Sequence, residues 1–304
     1  MTTAPPPIDV IGLEKRFGET RALAGLDLCV AEGEVHGFLG PNGAGKSTTI
    51  RILLGMMRAS GGTATVFGRN PWRDSVTVHR DLAYVPGDVN LWPNLTGGEV
   101  IDLLTALRGG ADESLRRRLI DDFEFDPRKK SRSYSKGNRQ KVALIAALAR
   151  PARLYIFDEP TSGLDPVMES VFRSHVGRIR AEGATVLLSS HILSEVEHLC
   201  DRVTIIRAGV AVESGALAEL RHLTRTSFRV TGLTSGGDLA ALPGVHGLRA
   251  DGDTTEFDVD SEHLTTALEA VAALRPAGLT VAPPSLETLF LRHYAVEQPR
   301  ELAG

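Results

Sequence analysis

The chain has 304 residues, 42% hydrophobic and 24% charged, with a formal net charge of -4. This balance suits a globular protein with room for one large and one small domain, and it argues against a disordered chain or a general nucleic-acid binder. Cys29 and Cys200 are the only cysteines; their spacing suits neither a disulfide framework nor a zinc site, and both are expected in the core as small hydrophobes. Met1–Pro7 lacks the basic start and apolar stretch of a secretory leader. The richest apolar run, Val142–Ala149, falls far short of the roughly 18 residues that span a bilayer.

Residues 8 to 30 are expected to form strands. Phe17 lies in Leu13-Glu14-Lys15-Arg16-Phe17-Gly18, where an aromatic suits packing in the core. Val35-His36-Gly37-Phe38-Leu39 is a short apolar run suited to a buried strand, and Ser47–Leu54 reads as a helix. Between them Gly40-Pro41-Asn42-Gly43-Ala44-Gly45-Lys46-Ser47 spells GxxxxGK[ST]. Such a loop lets successive backbone N–H groups converge on phosphate oxygens, and glycine tolerates the φ angles and close approach this needs. Lys46 supplies a point charge to the β- and γ-phosphates, and the Ser47 hydroxyl is placed to ligand Mg2+. The helix that starts at Lys46 turns its positive end toward the anion. The chain is therefore expected to bind ATP or GTP.

A helical insert is expected from Asp88 to Ala149. Its basic stretch, Arg128-Lys129-Lys130-Ser131-Arg132, reads as a solvated turn. Near the end of the insert, Tyr134-Ser135-Lys136-Gly137-Asn138-Arg139-Gln140-Lys141 precedes a strong helix-forming run. Ser135 reads as an N-cap, followed by a first turn with unpaired N–H groups, which makes a second anion site; most capped amphipathic helices have no such role. Leu154-Tyr155-Ile156-Phe157 is apolar throughout, as a strand covered on both faces should be. It ends in Asp158 and Glu159, where open α/β sheets bind ligands. Asp158 is a hard oxygen ligand for Mg2+ alongside Ser47, and Glu159 is a candidate general base for an attacking water. Another apolar strand, Thr185–Leu188, leads through Ser189-Ser190 to His191. Among nine histidines, a lone one is ordinarily a surface or satisfied side chain.

The texture changes after a charged helix ending near Leu223. Thr226–Thr231 and Thr255–Asp260 alternate as half-exposed strands, Leu264–Leu274 has helical spacing, and Leu279–Val281 is a short strand. Ser285 can cap a final helix, Leu286–Tyr294. The expected fold is α/β: a mostly parallel sheet flanked by helices with a separate helical lobe, followed by a small α+β domain without catalytic residues. The expected domains are 8–223, with the helical lobe at 88–149, and 224–304.

Taken in order, GPNGAGKST, YSKGNRQK, LYIFDEPTSGLDP and LLSSHILSEVEHLCDRVTIIRAG resemble the ATP-binding subunit of an ABC transporter, over roughly residues 8–220. The resemblance implies a P-loop cassette fold with ATP and Mg2+ as cofactors. It implies that the loop from Gly40 through Ser47 and Thr48 binds nucleotide, that Phe17 stacks on adenine, and that His191 contacts the γ-phosphate and the water of Glu159. It also implies a head-to-tail dimer that sandwiches two ATP molecules. In that dimer Ser135 and Gly137 touch the nucleotide held by the other copy, and Ser162-Gly163-Leu164-Asp165 communicates across the interface. Two departures stand out. Tyr134, Lys136 and Asn138 replace three letters of the usual LSGGQ. Gly87 stands after Tyr84-Val85-Pro86 where the family places a Gln; glycine has no side-chain carbonyl for a metal, so water or Asp88 fills the gap, or coupling relies on backbone shape.

The implied partners are a multi-span membrane permease and a second ATPase subunit, identical or not, with no nucleic acid. The implied location is the cytoplasmic face of the membrane, peripheral through the permease. One cassette with no membrane span implies a separate permease chain, so the leading expectation is the ATPase engine of a membrane exporter; the short stretch Pro283–Arg292 resembles the tail of ATPases that serve bacterial drug and antibiotic exporters. A soluble ABC protein of DNA repair or ribosomes is the first alternative; the long coiled-coil insertion or second cassette of such proteins is missing here. A slow regulatory nucleotide-binding module is the other, for which Gly87 and the degenerate signature are mild support.

Overall fold

In chain order the elements begin with β1 (Ile8–Phe17), β2 (Thr20–Val30), β3 (Val35–Leu39), α1 (Lys46–Leu53), β4 (Gly61–Val66), α2 (Ser75–Arg80) and β5 (Leu82–Val85). A run of helices follows, α3 (Gly97–Ala106), α4 (Glu113–Asp122) and α5 (Lys136–Leu148). Then come β6 (Leu154–Asp158), α6 (Pro166–Ala181), β7 (Thr185–Ser190), α7 (Leu193–Leu199), β8 (Arg202–Arg207) and β9 (Val210–Ala216). The computed structural model describes residues 5–222, 225–232 and 239–282, and the chain divides into two compact units, Met1–Gly215 and Ala216–Gly304.

In the first unit, β3, β6 and β7 are buried at every position, as strands covered on both faces must be. They form the centre of a six-stranded sheet in the order β5-β6-β7-β3-β8-β9, parallel from β5 through β8. The sequence anticipated this sheet but not the separate three-stranded antiparallel sheet, β2-β1-β4. Its inner side chains, among them Ile8, Val10 and Leu26, share one core with Phe38, Leu187 and the Ile50 and Leu53 of α1. Each such fully buried aliphatic side chain contributes about 1.5–3 kcal/mol relative to exposure. The alternation of β2 also corrects one expectation. Leu28 and Val30 point inward, so Cys29 between them faces solvent; only Cys200 is buried, and its thiol pKa is raised by that burial.

The helical lobe is held in place by its caps. Thr96 and Glu99 form a reciprocal capping box at α3, and the Asp112 carboxylate accepts the Ser114 and Leu115 N–H groups at the start of α4, leaving few orphan donors. Ser135 caps α5 as expected, its Oγ accepting from the Asn138 N–H at 3.2 Å. The basic side chains of the stretch, Arg128, Lys129, Lys130 and Arg132, are exposed, with Arg128 paired with Asp126 at 2.9 Å, but Ser131 among them is buried and opens a 3-10 turn.

The second unit carries α8 (Leu217–His222), β10 (Thr226–Thr231), β11 (Val245–Asp251), β12 (Thr254–Val259), α9 (Leu264–Ala273) and β13 (Gly278–Ala282). The strands form an antiparallel sheet in the order β11-β12-β10-β13. Phe228 and Phe257 stack at 5.0 Å and pack with Ala267 and Val271 of α9. β11 was not anticipated, because Val245–Asp251 is half-exposed or exposed throughout and has no clean two-residue apolar alternation. Arg225 and then His246 hydrogen-bond the Asp260 carboxylate and hold its pKa down to about 2. The final helix expected at 286–294 and its Ser285 cap lie outside the described residues.

Candidate active site

The site begins where β3 ends. A Cβ on Gly40 would lie 2.5 Å from the Ile206 carbonyl oxygen. Gly45 has φ +116, and a Cβ there would meet Leu23 Cδ2 at 2.7 Å. Both space and backbone conformation therefore require glycine in this turn. Pro41 is half-buried, Asn42 and Gly43 are exposed, and Ala44 is buried, its N–H donating to the Pro41 carbonyl at 3.2 Å. Lys46 opens α1 with only 4% of its surface exposed. Its Nζ donates to the Gly40 carbonyl and, at 3.2 Å, to that of Pro41. Burial pushes the Lys46 ammonium below the ordinary lysine pKa, and the carboxylates of Glu159 and Asp158 oppose that shift. Ser47 is exposed at the first turn and Thr48 half-buried beside it.

The acids arrive from the neighbouring strands. In the order β6-β7-β3, the carboxyl ends of three parallel strands lie side by side, which is where α/β sheets bind ligands. Asp158, buried at the end of β6, accepts from Ser189 Oγ of β7 at 2.5 Å. Glu159 Oε1 lies 3.7 Å from Lys46 Nζ and 3.2 Å from His191 Nδ1. One carboxylate oxygen thus joins the loops after β3, β6 and β7. Glu159 adopts φ +48, a left-handed conformation rare for a side-chain-bearing residue, which costs on the order of 1–3 kcal/mol and persists only where neighbours hold it. Here its N–H donates to the Ser189 carbonyl at 3.0 Å, and its carbonyl accepts from the Ser162 N–H at 3.1 Å.

Gly87 borders this group: a Cβ there would sit 3.0 Å from the Asp158 carbonyl oxygen and 3.5 Å from Glu159 Cβ. Nearby, burial and then the charge of Asp158 push the Tyr84 phenol up to about 12. Asp88 is exposed and accepts from Asn90 Nδ2 at 3.3 Å.

Four of the singled-out residues are not bonded to this group. No hydrogen bond or ion pair among the described residues joins Phe17, Ser135, Gly137 or Asp165 to Lys46 or Glu159. Phe17 is not a core side chain: it ends β1 47% exposed, with Lys15 Nζ 5.0 Å from its ring centroid. Gly137 packs on the Ser162–Gly163 loop so closely that a Cβ would lie 2.3 Å from the Gly163 carbonyl oxygen. Lys136 Nζ donates to Ser162 Oγ at 2.5 Å. Asp165 uses its carboxylate to cap α6, accepting from the Val167 and Met168 N–H groups at 3.0 Å, with Pro166 at the first helical position as the geometry favours.

Two residues in this region were missed by the sequence analysis. Ser189 was read only as part of a polar pair, and Glu195 was not read at all. Glu195 accepts hydrogen bonds from Thr161 Oγ1 and, at 2.6 Å, from Ser190 Oγ. An acid in the first turn of a helix is legible as a dipole partner; its contact with the distant Thr161 is not. As for a metal, no group of three or more His, Cys, Asp or Glu that could hold an ion occurs among the described residues. A hydroxyl from Ser47 and a carboxylate from Asp158 nevertheless fit Mg2+, which keeps several waters and takes its remaining oxygens from phosphates.

This sheet, loop and carboxylate pair define a P-loop nucleoside triphosphatase. Residues 23–162 match the ABC transporter family. The chain is 34% identical to the daunorubicin resistance ATP-binding protein DrrA3 of Streptomyces coeruleorubidus, over 93% of this chain and 94% of that one. It is also 34% identical to the bacitracin transport ATP-binding protein BcrA of Enterococcus faecalis, over 77% and 76% respectively. A solved ATP-binding subunit of an ABC transporter superposes with a TM-score of 0.66 at 31% identity, over 73% of this chain and 93% of its own. The chain belongs to the family of ABC transporter ATP-binding proteins, which are ATPases.

Proposed function

We propose that this chain is the ATP-hydrolysing subunit that powers export of a small molecule, of the drug or antibiotic kind, through a separate multi-span permease. The observation that carries the reading is the meeting of Lys46 and His191 on one oxygen of Glu159 at the mouth of the P-loop. Phosphoryl transfer to water needs positioning and charge neutralisation more than covalent help. Lys46 and the loop N–H groups hold the phosphates, Glu159 orients and polarises the attacking water, and His191, 3.2 Å from that carboxylate, meets the γ-phosphate. Ser47 and Asp158 would hold Mg2+, which supplies neutralising charge to the phosphate oxygens when bound. Phe17, exposed at its strand end, is free to stack on adenine.

Ser135 and Gly137 complete the site of a second copy in a head-to-tail dimer. Gly137 packs against the chain's own Ser162–Gly163 loop, and no hydrogen bond or ion pair among the described residues ties Ser135 or Gly137 to the chain's own Lys46, which supports that assignment. The proposed cassette, 8–223, ends one helix (Leu217–His222) beyond the division of the chain at Gly215, and the proposed accessory domain is 224–304.

The permease reading rests on the relatives and on one surface. No helix among the described residues is long and apolar enough to cross a membrane. A groove of about 950 Å³ is lined by α2, α3 and the segment after β5, including Val76, Val89, Trp92 and Leu107. Val76 and Leu107 are 72% and 77% exposed, and apolar side chains clustered in this way mark interaction sites. In this reading an amphipathic helix of the permease occupies the groove, with the chain at the cytoplasmic face of the membrane. Val76→Asp combined with Leu107→Asp should abolish co-purification with the permease and substrate export while leaving ATP binding intact. Undiminished co-purification and export would contradict this docking site.

Gly87 carries a separate expectation. Its φ is not left-handed, so Gly87→Gln needs only a shift of a few tenths of an ångström against the Asp158 carbonyl. A neutral carbonyl ligand that water can replace adds little. The variant should keep or slightly raise basal ATPase activity and tighten its Mg2+ dependence, and Asp88→Ala should weaken that dependence if the Asp88 carboxylate, rather than water, fills the gap. Unchanged Mg2+ titrations at fixed ATP in both variants would leave Gly87 as a loop-shape or coupling feature.

A further inference from the structure

We propose that Glu195 is a positioning residue for ATP hydrolysis, fixing the Glu159–His191 pair by clamping the two loops on which those side chains ride. The proposal rests on the reading of Glu159 and His191 given above. Thr161 lies just beyond Glu159, and Ser190 immediately precedes His191. Both hydroxyls are on buried residues, and both donate to the same carboxylate, Thr161 Oγ1 to Oε1 and Ser190 Oγ to Oε2 at 2.6 Å. Ser190 Oγ in turn accepts the Ile192 N–H at 2.9 Å, which shapes the turn that carries His191. Hydrogen bonds to an ionised acceptor are about twice as strong as neutral ones, so one carboxylate suits this bridging better than an amide.

The clamp is anchored to the sheet. Val196, the next residue of α7, is fully buried and packs on Gly37 of β3, where a Cβ would lie 2.6 Å from Val196 Cγ1 and 3.1 Å from Cys200 Sγ. α7 therefore rests on the backbone of the strand that leads into the P-loop, and Glu195 is set relative to that strand. The left-handed backbone of Glu159 must be held by its surroundings. Two backbone hydrogen bonds do so directly, and the Thr161–Glu195 bond fixes the turn just beyond. Without it, Glu159 can relax toward an ordinary conformation and carry its carboxylate away from Lys46 and His191. No hydrogen bond or ion pair among the described residues joins Glu195 to Gly40–Thr48, so nucleotide binding is expected to persist.

The test compares Glu195→Ala, Glu195→Gln, Thr161→Val, the Glu195→Ala/Thr161→Val double variant and Glu159→Gln, all in the full chain. A misplacement of about 1 Å at a reacting group can cost on the order of 10²-fold, so Glu195→Ala should lower kcat by at least about tenfold while KM for ATP stays within about twofold. Glu195→Gln keeps one acceptor oxygen and should recover part of the rate. Thr161→Val should lower kcat in the same direction, and the double variant should be no worse than Glu195→Ala alone, because both remove one interaction. A purely structural role would lower Tm yet leave kcat per folded chain intact; that result, or strictly additive losses, would overturn the proposal. If Glu195→Ala does not fold, Glu195→Gln and Thr161→Val decide by their kcat and KM. Normal turnover in Glu159→Gln would refute the underlying site reading, whereas an inactive Glu159→Gln beside a fully active Glu195→Ala would refute the clamp alone.

Discussion

Glu159→Gln is expected to bind ATP and all but stop hydrolysing it. The substitution keeps the shape of the side chain but removes the negative charge that lies 3.7 Å from Lys46 and 3.2 Å from His191. A general base usually contributes about 10²- to 10⁴-fold, so turnover should fall by 10²-fold or more. Nucleotide affinity should hold or rise, because Lys46 loses a competing carboxylate. If hydrolysis is what opens the nucleotide-sandwiched dimer, that dimer should accumulate. Steady-state turnover and sedimentation in Mg·ATP read both effects, and near-normal hydrolysis would remove Glu159 from its assigned role.

The second large effect concerns assembly across two chains. Lys46→Ala removes the phosphate-binding charge, and Ser135→Arg places bulk and charge at the start of α5. Neither homodimer then has an intact composite site, so each parent should be nearly inactive. In an equal mixture that exchanges freely, half of the dimers are mixed and each has one complete site, which restores up to about a quarter of the wild-type sites. Ser135→Arg also removes an N-cap, a loss of about 1 kcal/mol, so melting curves must show that the parent stays folded. Activity that remains at the parental level in a mixture shown to heterodimerise would mean that the site is complete within one chain.

The parts of this account legible from sequence are those with local causes. The P-loop, its strand and its helix follow from glycines at fixed spacing between two apolar runs, and β6 follows from four consecutive apolar residues before Asp158. Ser135 was legible as a cap because the hydrogen bond reaches only to Asn138. What was hidden depends on residues brought together from afar. The Glu159 carboxylate meets Lys46 and His191 only because β6, β7 and β3 are neighbours in the sheet, an order that their sequence does not display. The Glu195 contacts with Thr161 and Ser190 are invisible for the same reason. Cys29 was misplaced because composition favours burial and only the register of β2 turns it outward. β11 was missed because a half-exposed strand at a sheet edge needs no apolar alternation. The roles expected of Phe17, His191, Ser135 and Asp165 came from the family resemblance; for Asp165 the structure adds a cap of α6.

The most direct test of the central claim is the equilibrium affinity for Mg·ATP of the purified chain beside its Lys46→Ala variant. Lys46, buried at the start of α1, is held by the carbonyls of Gly40 and Pro41 and faces Glu159. If the Gly40–Thr48 loop is the nucleotide site, the wild-type chain should bind Mg·ATP saturably and the variant at least about tenfold more weakly, since charge-assisted contacts to phosphate are the strong ones. Equal affinities in two equally folded proteins would contradict the account.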